Sequence, residues 1–221
     1  MRKKAETPAG PKIQAVQIPP PNWQVAEFRI VGVSPLVQNA FPAKAREMIH
    51  AKQAAGSQAK KGSKREPKDF DLCYQQAMHK SREGWHGIPA ASFRKAMISA
   101  CRTVGFKMTL AKLALFVVSD GFDAQDAMPL VKITDGEPHY VEHYVRNETG
   151  VVDLRARPMW DSWAATLRIR FDADLFSLAD VANLLLRAGV GGVGEGRNDS
   201  KNSAGMGWGE FEVESAKEAT A

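Results

Sequence analysis

The chain has 221 residues, of which 44% are hydrophobic and 25% are charged, a composition typical of a one-domain globular protein with a sizeable core. The net charge of +5 and the pI of about 9.2 permit a polyanionic partner without requiring one. The two cysteines, Cys73 and Cys101, form no CxxC pair, which argues against a disulfide framework and a zinc site.

The sequence carries no segment of the kind that enters a membrane. No apolar run approaches membrane-spanning length, and no apolar stretch follows the basic N-terminus as it does in a signal peptide. We therefore expect a cytoplasmic protein that makes no membrane contact. No metal or cofactor is predicted either.

Residues 1–22 are predicted to form a disordered tail. They contain Pro8, Pro11 and three consecutive prolines at positions 19–21, which favour a stiff polyproline segment. The tail could reach a neighbouring subunit, or it could have no function.

The first strand is predicted at residues 23–33. Phe28 and Ile30 fall on one face, and Glu27 and Arg29 fall on the other, as in a half-buried strand.

An insertion is predicted at residues 34–83. A short helix at 43–53 would point Met48 and Ile49 inward, and a second short helix is expected at 70–80. The polar, basic stretch between them could be a mobile arm that settles on phosphates, or it could be merely solvated. Its candidate binding residues are Lys60, Lys61, Lys64 and Arg65.

Residues 84–105 predict an amphipathic helix that follows glycine and proline. Its apolar side chains recur at helical spacing, and they are Phe93, Ala96, Met97, Ala100 and Cys101. Basic side chains near the free N–H groups of a first turn could receive phosphates, or they could be ordinary solvated cations. The candidate binding residues here are Trp85, His86, Arg94, Lys95 and Arg102.

The second half of the chain predicts several strands. The continuous apolar run at 113–119 indicates a central strand, and 130–133 indicates another. Residues 139–145 and 151–157 predict a hairpin whose turn lies near 147–150.

The clearest strand is predicted at residues 163–171. Leu167 and Ile169 point to one face, whereas Arg168 and Arg170 point to the other. Two arginines on one sheet face could be a solvated surface or a track for phosphates.

Residues 177–213 predict a helix, a glycine-rich loop and a closing strand. Ser177 and Asp180 have the spacing of a capping box, and Gly189 is the expected end of the helix. The predicted apolar face consists of Leu178, Val181, Leu184, Leu185 and Ala188.

Eight glycines lie between positions 189 and 209. A dinucleotide fingerprint is disfavoured because the order is helix, glycines, strand, and a P-loop is disfavoured because no Lys-Ser/Thr pair follows. We favour a binding loop over a plain linker. Its candidate binding residues are Gly194, Gly196, Arg197, Lys201 and Trp208.

Without the insertions at about 34–83 and 120–160, the elements follow the order βαββαβ. That order predicts an α+β fold with a ferredoxin-like (RRM-like) core, in which two helices cover one face of an antiparallel sheet. We expect one domain at 23–214 and a disordered tail at 215–221.

A helix, a glycine-rich loop and a final strand on such a core resemble the RAMP superfamily, which comprises the Cas5, Cas6 and Cas7 proteins of CRISPR systems. The match lies in Gly189-Val-Gly-Gly-Val-Gly-Glu-Gly196 and Gly205-Met-Gly-Trp-Gly209. The segment Gly87-Ile-Pro-Ala-Ala-Ser-Phe-Arg94 is similar to a RAMP turn that begins a basic helix, with Ala90 in place of a glycine. The sequence also resembles proteins of tailed phages, which act in a bacterial host cell.

The resemblance implies a non-catalytic, Cas7-like protein that binds single-stranded nucleic acid, chiefly RNA. Such a protein oligomerises along the strand as a filament or ring, or serves as a subunit of a ribonucleoprotein. Two alternatives stay open. One is a Cas6-like, metal-independent endoribonuclease with His86 as the candidate acid or base, and the other is a phage structural or host-interaction protein.

Overall fold

The structure, a computed structural model, describes residues 18–41, 47–48, 50–51, 54, 68–146, 150–200 and 205–218. Most of the predicted N-terminal tail, the basic arm and the predicted hairpin turn lie outside the described residues.

Ten strands and four helices have both ends within the described part of the chain, and the described residues 47–48, 50–51 and 54 are also helical. The strands are β1 Trp23–Gly32, β2 Leu36–Val37, β3 Gly87–Pro89, β4 Leu115–Val118, β5 Gly121–Phe122, β6 Pro129–Asp135, β7 His139–Arg146, β8 Val152–Trp160, β9 Ala164–Asp172 and β10 Phe211–Glu218. The helices are α1 Phe70–Gln76, α2 Ala90–Ala100, α3 Met108–Ala114 and α4 Leu178–Gly191, and a 3-10 turn, Cys101–Val104, follows α2.

The strands form two antiparallel sheets, so the predicted α+β class is confirmed. In the main sheet β1 lies between β10 and β9, and β9 pairs on its other side with both β4 and β6. Strands β3 and β5 pair with β6. The second sheet has the order β2-β8-β7, and the predicted hairpin is its β7–β8 pair.

The core lies between the main sheet and helices α2 and α4. Alternate residues of β1 and β9 are buried on one face, as their sequence pattern predicts. The apolar stripes of both helices pack against that face, because burial of these side chains removes apolar area from water. The side chains without exposed surface include Phe28, Ile30, Phe93, Met97, Leu167, Ile169, Val181 and Leu185.

Helix α4 begins as predicted and ends later than predicted. The Ser177–Asp180 capping box is present, but the helix continues past Gly189 to a C-cap at Gly192, which has a φ of 74°. Gly189 has a different role, since a Cβ there would lie 2.0 Å from the carbonyl oxygen of Phe211. The glycine lets the helix backbone approach β10 closely.

The predicted central strand at 113–119 is wrong at its start and in its position. Leu113 belongs to α3 and is 71% exposed, whereas Ala111 and Ala114 are the buried residues of that helix. Strand β4 begins at Leu115 and borders β9 at the side of the sheet. A continuous apolar run has no period of its own, so it could not distinguish a helix end from a strand.

Two smaller expectations also differ from the structure. Met48 was predicted to point inward, but it is 64% exposed. The predicted C-terminal tail begins at residue 215, but β10 continues to Glu218 because its backbone pairs with β1 as far as Ala26.

Candidate nucleic-acid interface

A cleft of about 240 Å³ lies where the glycine-rich segment after α4 meets β2 and the first half of α2. Its walls combine backbone, cationic and polar groups. The lining residues include Gln38, His79, Ser92, Lys95, Gly194 and Arg197.

Glycines place the loop against β2. Gly194 has a φ of 81°, and a Cβ on it would lie 2.6 Å from the carbonyl oxygen of Val37. The next N–H group, that of Glu195, donates to the same oxygen at 2.9 Å. Only glycine permits this close approach at a left-handed φ, so the loop's backbone is held in the cleft wall.

The second half of the loop folds back on the first. The N–H of Val193 donates to the carbonyl of Gly209 at 2.9 Å, and the N–H of Met206 donates to the carbonyl of Gly196 at 2.6 Å. The described parts of the loop on either side of residues 201–204 are therefore joined by backbone hydrogen bonds.

Trp208 is held inside this loop structure. A Cβ on Gly196 would lie 2.4 Å from Cε3 of the indole, and the ring of His143 lies 4.6 Å from the indole between centroids. This candidate binding residue thus joins the glycine loop to strand β7.

Lys95 and Arg197 supply positive charge to the cleft. Lys95 is exposed on α2, and the guanidinium of Arg197 donates to the carbonyl of Gly194 at 2.8 Å. Helix α2 begins immediately beside them, with Pro89 at its N-cap and no side-chain cap for its first N–H groups. The positive end of the helix dipole therefore faces the same region.

The two carboxylates of the cleft are each paired with an arginine. Glu195 accepts a hydrogen bond from the buried Arg157 at 2.9 Å, and Asp199 accepts one from Arg102 at 2.6 Å. A hydrogen bond from Ser99 and then that from Arg102 lower the pKa of Asp199, while burial opposes them. The charge of Arg197 also lowers the pKa of Asp199. With Arg102 and Arg157 counted, cationic side chains outnumber carboxylates in and around the cleft.

The sequence-predicted residues Arg94, Arg168 and Arg170 do not line the cleft. Arg94 donates to the carbonyl of Leu115 at 2.7 Å and also to that of Lys112, at the end of α3. Arg168 pairs with Asp120 at 2.8 Å.

Arg170 stacks on aromatic rings at the edge of the main sheet. Its guanidinium carbon lies 4.8 Å from the ring centroid of Trp23 and 5.0 Å from that of Phe116. Arg94 lies over the same Phe116 ring at 4.7 Å. These arginines already take part in intramolecular stacking and capping contacts.

Trp85 and His86 do not line the cleft. Trp85 covers Gly87 and Gly121, and its indole N–H donates to Glu83 at 3.0 Å.

The ring of His86 packs edge-on against the buried Trp160, with 5.8 Å between centroids. Burial first, and then the charge of Lys80, lower the pKa of His86, whereas Glu137 opposes them. Among the described residues no carboxylate hydrogen-bonds to His86, so it has no orienting partner of the kind a catalytic histidine uses.

Sequence reasoning missed the pair His79 and Asp123. His79 lines the cleft, and its Nδ1 lies 3.1 Å from Oδ2 of Asp123. The two residues are 44 positions apart and belong to no motif, so no local signal could have joined them. The fold does so by pairing the backbones of Ser81 and Asp123.

The remaining predicted binding residues lie outside the described residues, and they are Lys60, Lys61, Lys64, Arg65 and Lys201. Within the described ranges, no cluster of three metal-ligating side chains is found. In the same ranges, no helix is long and apolar enough to cross a membrane.

No family model matches the chain, and no curated protein matches it. Among solved structures, one similar chain belongs to the cryo-EM structure of the Type III-B Cmr-beta bound to cognate target RNA. It is 9% identical, with a TM-score of 0.47, and the match covers 89% of this chain and 60% of that one. This chain therefore spans about 60% of the length of the chain it matches.

Proposed function

We propose that this chain binds single-stranded nucleic acid, with RNA as the preferred strand, and that it does not cleave the strand. The observation that carries the proposal is the convergence of Lys95, Arg197 and the uncapped start of α2 on one cleft. Phosphates contribute most of the affinity of such proteins, because cations that neutralise them release condensed counterions.

The size of the cleft suits one part of a nucleic-acid strand. The cleft is smaller than the roughly 300 Å³ of pockets that enclose a whole small ligand, so we expect it to hold one part of a longer chain.

Binding rather than catalysis fits the placement of His86. Its ring packs on Trp160 away from the cleft. A general acid or base needs reach to the scissile group and an orienting partner.

We further propose that the core is a ferredoxin-like unit built from β1, α2, β4, β9, α4 and β10. Support comes from the antiparallel strand order β10-β1-β9-β4, with α2 and α4 on one face. With the glycine-rich loop, this arrangement supports membership of the RAMP superfamily and, by that resemblance, oligomerisation along the bound strand.

The charge contribution of the cleft is tested by titrating a fluorescent single-stranded oligonucleotide at several salt concentrations. The double variant Lys95→Gln, Arg197→Gln should reduce the slope of log K against log salt by about 1 to 2, because one or two phosphate contacts are lost. Lys112→Gln is the matched control, since this lysine lies on α3 and does not line the cleft. Equal slopes for the double variant and the wild type would refute the cleft as the phosphate site.

Oligomerisation is tested by light scattering during size-exclusion chromatography, with the 260/280 nm absorbance ratio recorded before and after nuclease. A large particle that carries nucleic acid and dissociates after nuclease is the expected result. A clean monomer that also ignores added single strands at low salt would contradict the proposed function.

A further inference from the structure

The strongest unexplained feature of the cleft is the pair formed by His79 and Asp123. The side chain of Asp123 is only 4% exposed, and that of His79 is 13% exposed. The second oxygen of Asp123 accepts the backbone N–H of Gln125 at 2.7 Å, so the carboxylate is held from two sides. A buried carboxylate that is fixed in this way fixes the imidazole in turn.

The surroundings also fix the backbone of His79. Its N–H donates to the side-chain oxygen of Gln38 at 3.0 Å, and its carbonyl accepts the N–H of Gly87 at 3.1 Å. The amide nitrogen of Gln38 donates to the carbonyl of Gly87 at 2.8 Å. The backbone that carries the ring is therefore held by three connected segments rather than by a single loop.

The carboxylate also determines which nitrogen of the neutral ring carries the proton. Asp123 can only accept, so Nδ1 must be the donor and Nε2 the acceptor. No described residue hydrogen-bonds to Nε2. Because His79 lines the cleft, its Nε2 is an acceptor that a ligand in the cleft can reach.

An acceptor is unsuited to a phosphate, whose oxygens are themselves acceptors. The cleft therefore has two chemical parts, a cationic part at Lys95 and Arg197 and an accepting part at His79. A sugar–phosphate backbone offers a matching donor next to each phosphate only when the sugar is ribose, because the 2′-hydroxyl is absent from DNA.

We propose that Nε2 of His79 accepts a hydrogen bond from a ribose 2′-hydroxyl and thereby makes the cleft selective for RNA over DNA. The inference rests on the proposed function, since it requires a strand in the cleft. His79 is a specificity-determining residue, and Asp123 is a positioning residue that acts through it.

The test compares affinities for three single strands of one sequence and about eight nucleotides, a length within the usual site size. The strands are RNA, DNA and 2′-fluoro RNA, measured by fluorescence anisotropy at several pH values, because only a neutral imidazole can accept at Nε2. The 2′-fluoro strand keeps a ribose-like sugar pucker but has no donor at the 2′ position. Comparison with the 2′-fluoro strand therefore separates the effect of the hydrogen bond on affinity from the effect of strand shape.

We expect the wild type to bind RNA about three- to tenfold more tightly than either other strand, the effect of one ordinary hydrogen bond. His79→Phe should lower RNA affinity to the DNA level and leave DNA affinity unchanged. Asp123→Asn should reduce the RNA preference too, because an amide can donate or accept and therefore no longer holds the proton on Nδ1 and the acceptor on Nε2.

His139→Phe is the matched control. His139 also lies near an aspartate, with its Nδ1 3.6 Å from Asp161, but His139 begins β7, Asp161 follows β8, and neither lines the cleft. Thermal unfolding of each variant establishes that it is folded. The comparison of the three strands is made on the wild type, so it does not depend on the folding of any variant.

Two results would overturn the inference and leave the proposed function intact. One is equal wild-type affinity for RNA and 2′-fluoro RNA, and the other is an equal loss of RNA and DNA binding in folded His79→Phe. A wild type that binds none of the three strands would overturn both.

Discussion

Replacement of Gly209 by alanine tests the close approach between the two ends of the glycine loop, at Gly209 and Val193. Gly209 has a φ of 71°, and a Cβ on it would lie 1.8 Å from the carbonyl oxygen of Val193. Its N–H donates to the carbonyl of Pro35 at 2.8 Å, and its own carbonyl accepts the N–H of Val193 at 2.9 Å. An alanine must therefore displace backbone, not a flexible side chain.

The expected cost has two parts. The left-handed conformation costs an L-residue about 1 to 2 kcal/mol. Displacing the loop should also break the two hydrogen bonds of Gly209, at about 1 kcal/mol each. Gly209→Ala should therefore lower the free energy of unfolding by about 3 to 4 kcal/mol, and the Tm by about 6 to 16 °C for a domain of this size.

Gly105→Ala is the matched control. Gly105 has a similar φ of 67°, but a Cβ on it would meet nothing within 4 Å. This variant should lose only the conformational part, about 1 to 2 kcal/mol. Urea denaturation of both variants and the wild type measures the difference, and equal losses would refute the close approach between Gly209 and Val193.

Three further outcomes are expected. Burial first, and then the charge of Arg157, lower the pKa of His143 from its ordinary value of 6.5. The unfolded chain therefore binds this proton at a higher pH than the native one. The free energy of unfolding should fall as the pH drops below 6.5 and level off below the native pKa, and His143→Phe should weaken that dependence in urea titrations at several pH values. Glu195→Gln should destabilise by roughly 1 to 3 kcal/mol, because Arg157 is 2% exposed and would lose its charged partner, whereas Arg157→Met should cost less in the same urea assay. Labelled RNA should stay intact on gels with the wild type. His79 has the orienting carboxylate that His86 lacks, so both are tested: cleavage that is lost in a folded His86→Ala or His79→Phe variant with retained binding would establish the nuclease alternative instead.

Periodic segments made much of the fold predictable. In β1 and β9 every second side chain is apolar, and a strand with one buried face must orient itself accordingly. Helices α2 and α4 carry their apolar residues at helical spacing, so burial of that stripe follows from the sequence. The start of α4 was also predictable, because a capping box is a local interaction.

Segments without a period were not predictable in the same way. The apolar run around Leu113 fits a helix or a strand, and only the packing of α3 and β4 decided the boundary. Gly189 has the residue type of a helix end, but its role depends on the backbone of Phe211, which is distant in sequence. A glycine's residue type does not reveal which surface will approach it.

The sequence by itself determined the class of the fold, the faces of its main strands and helices, and the presence of a glycine-rich loop that contains Arg197 and Lys201. The tertiary structure decided which cations share a surface, so that Lys95 and Arg197 line one cleft while Arg168 and Arg170 take part in contacts elsewhere. It also decided the partner of His79. The reason is that periodicity and capping are local properties of the chain, whereas a site assembled from distant segments depends on how those segments pack.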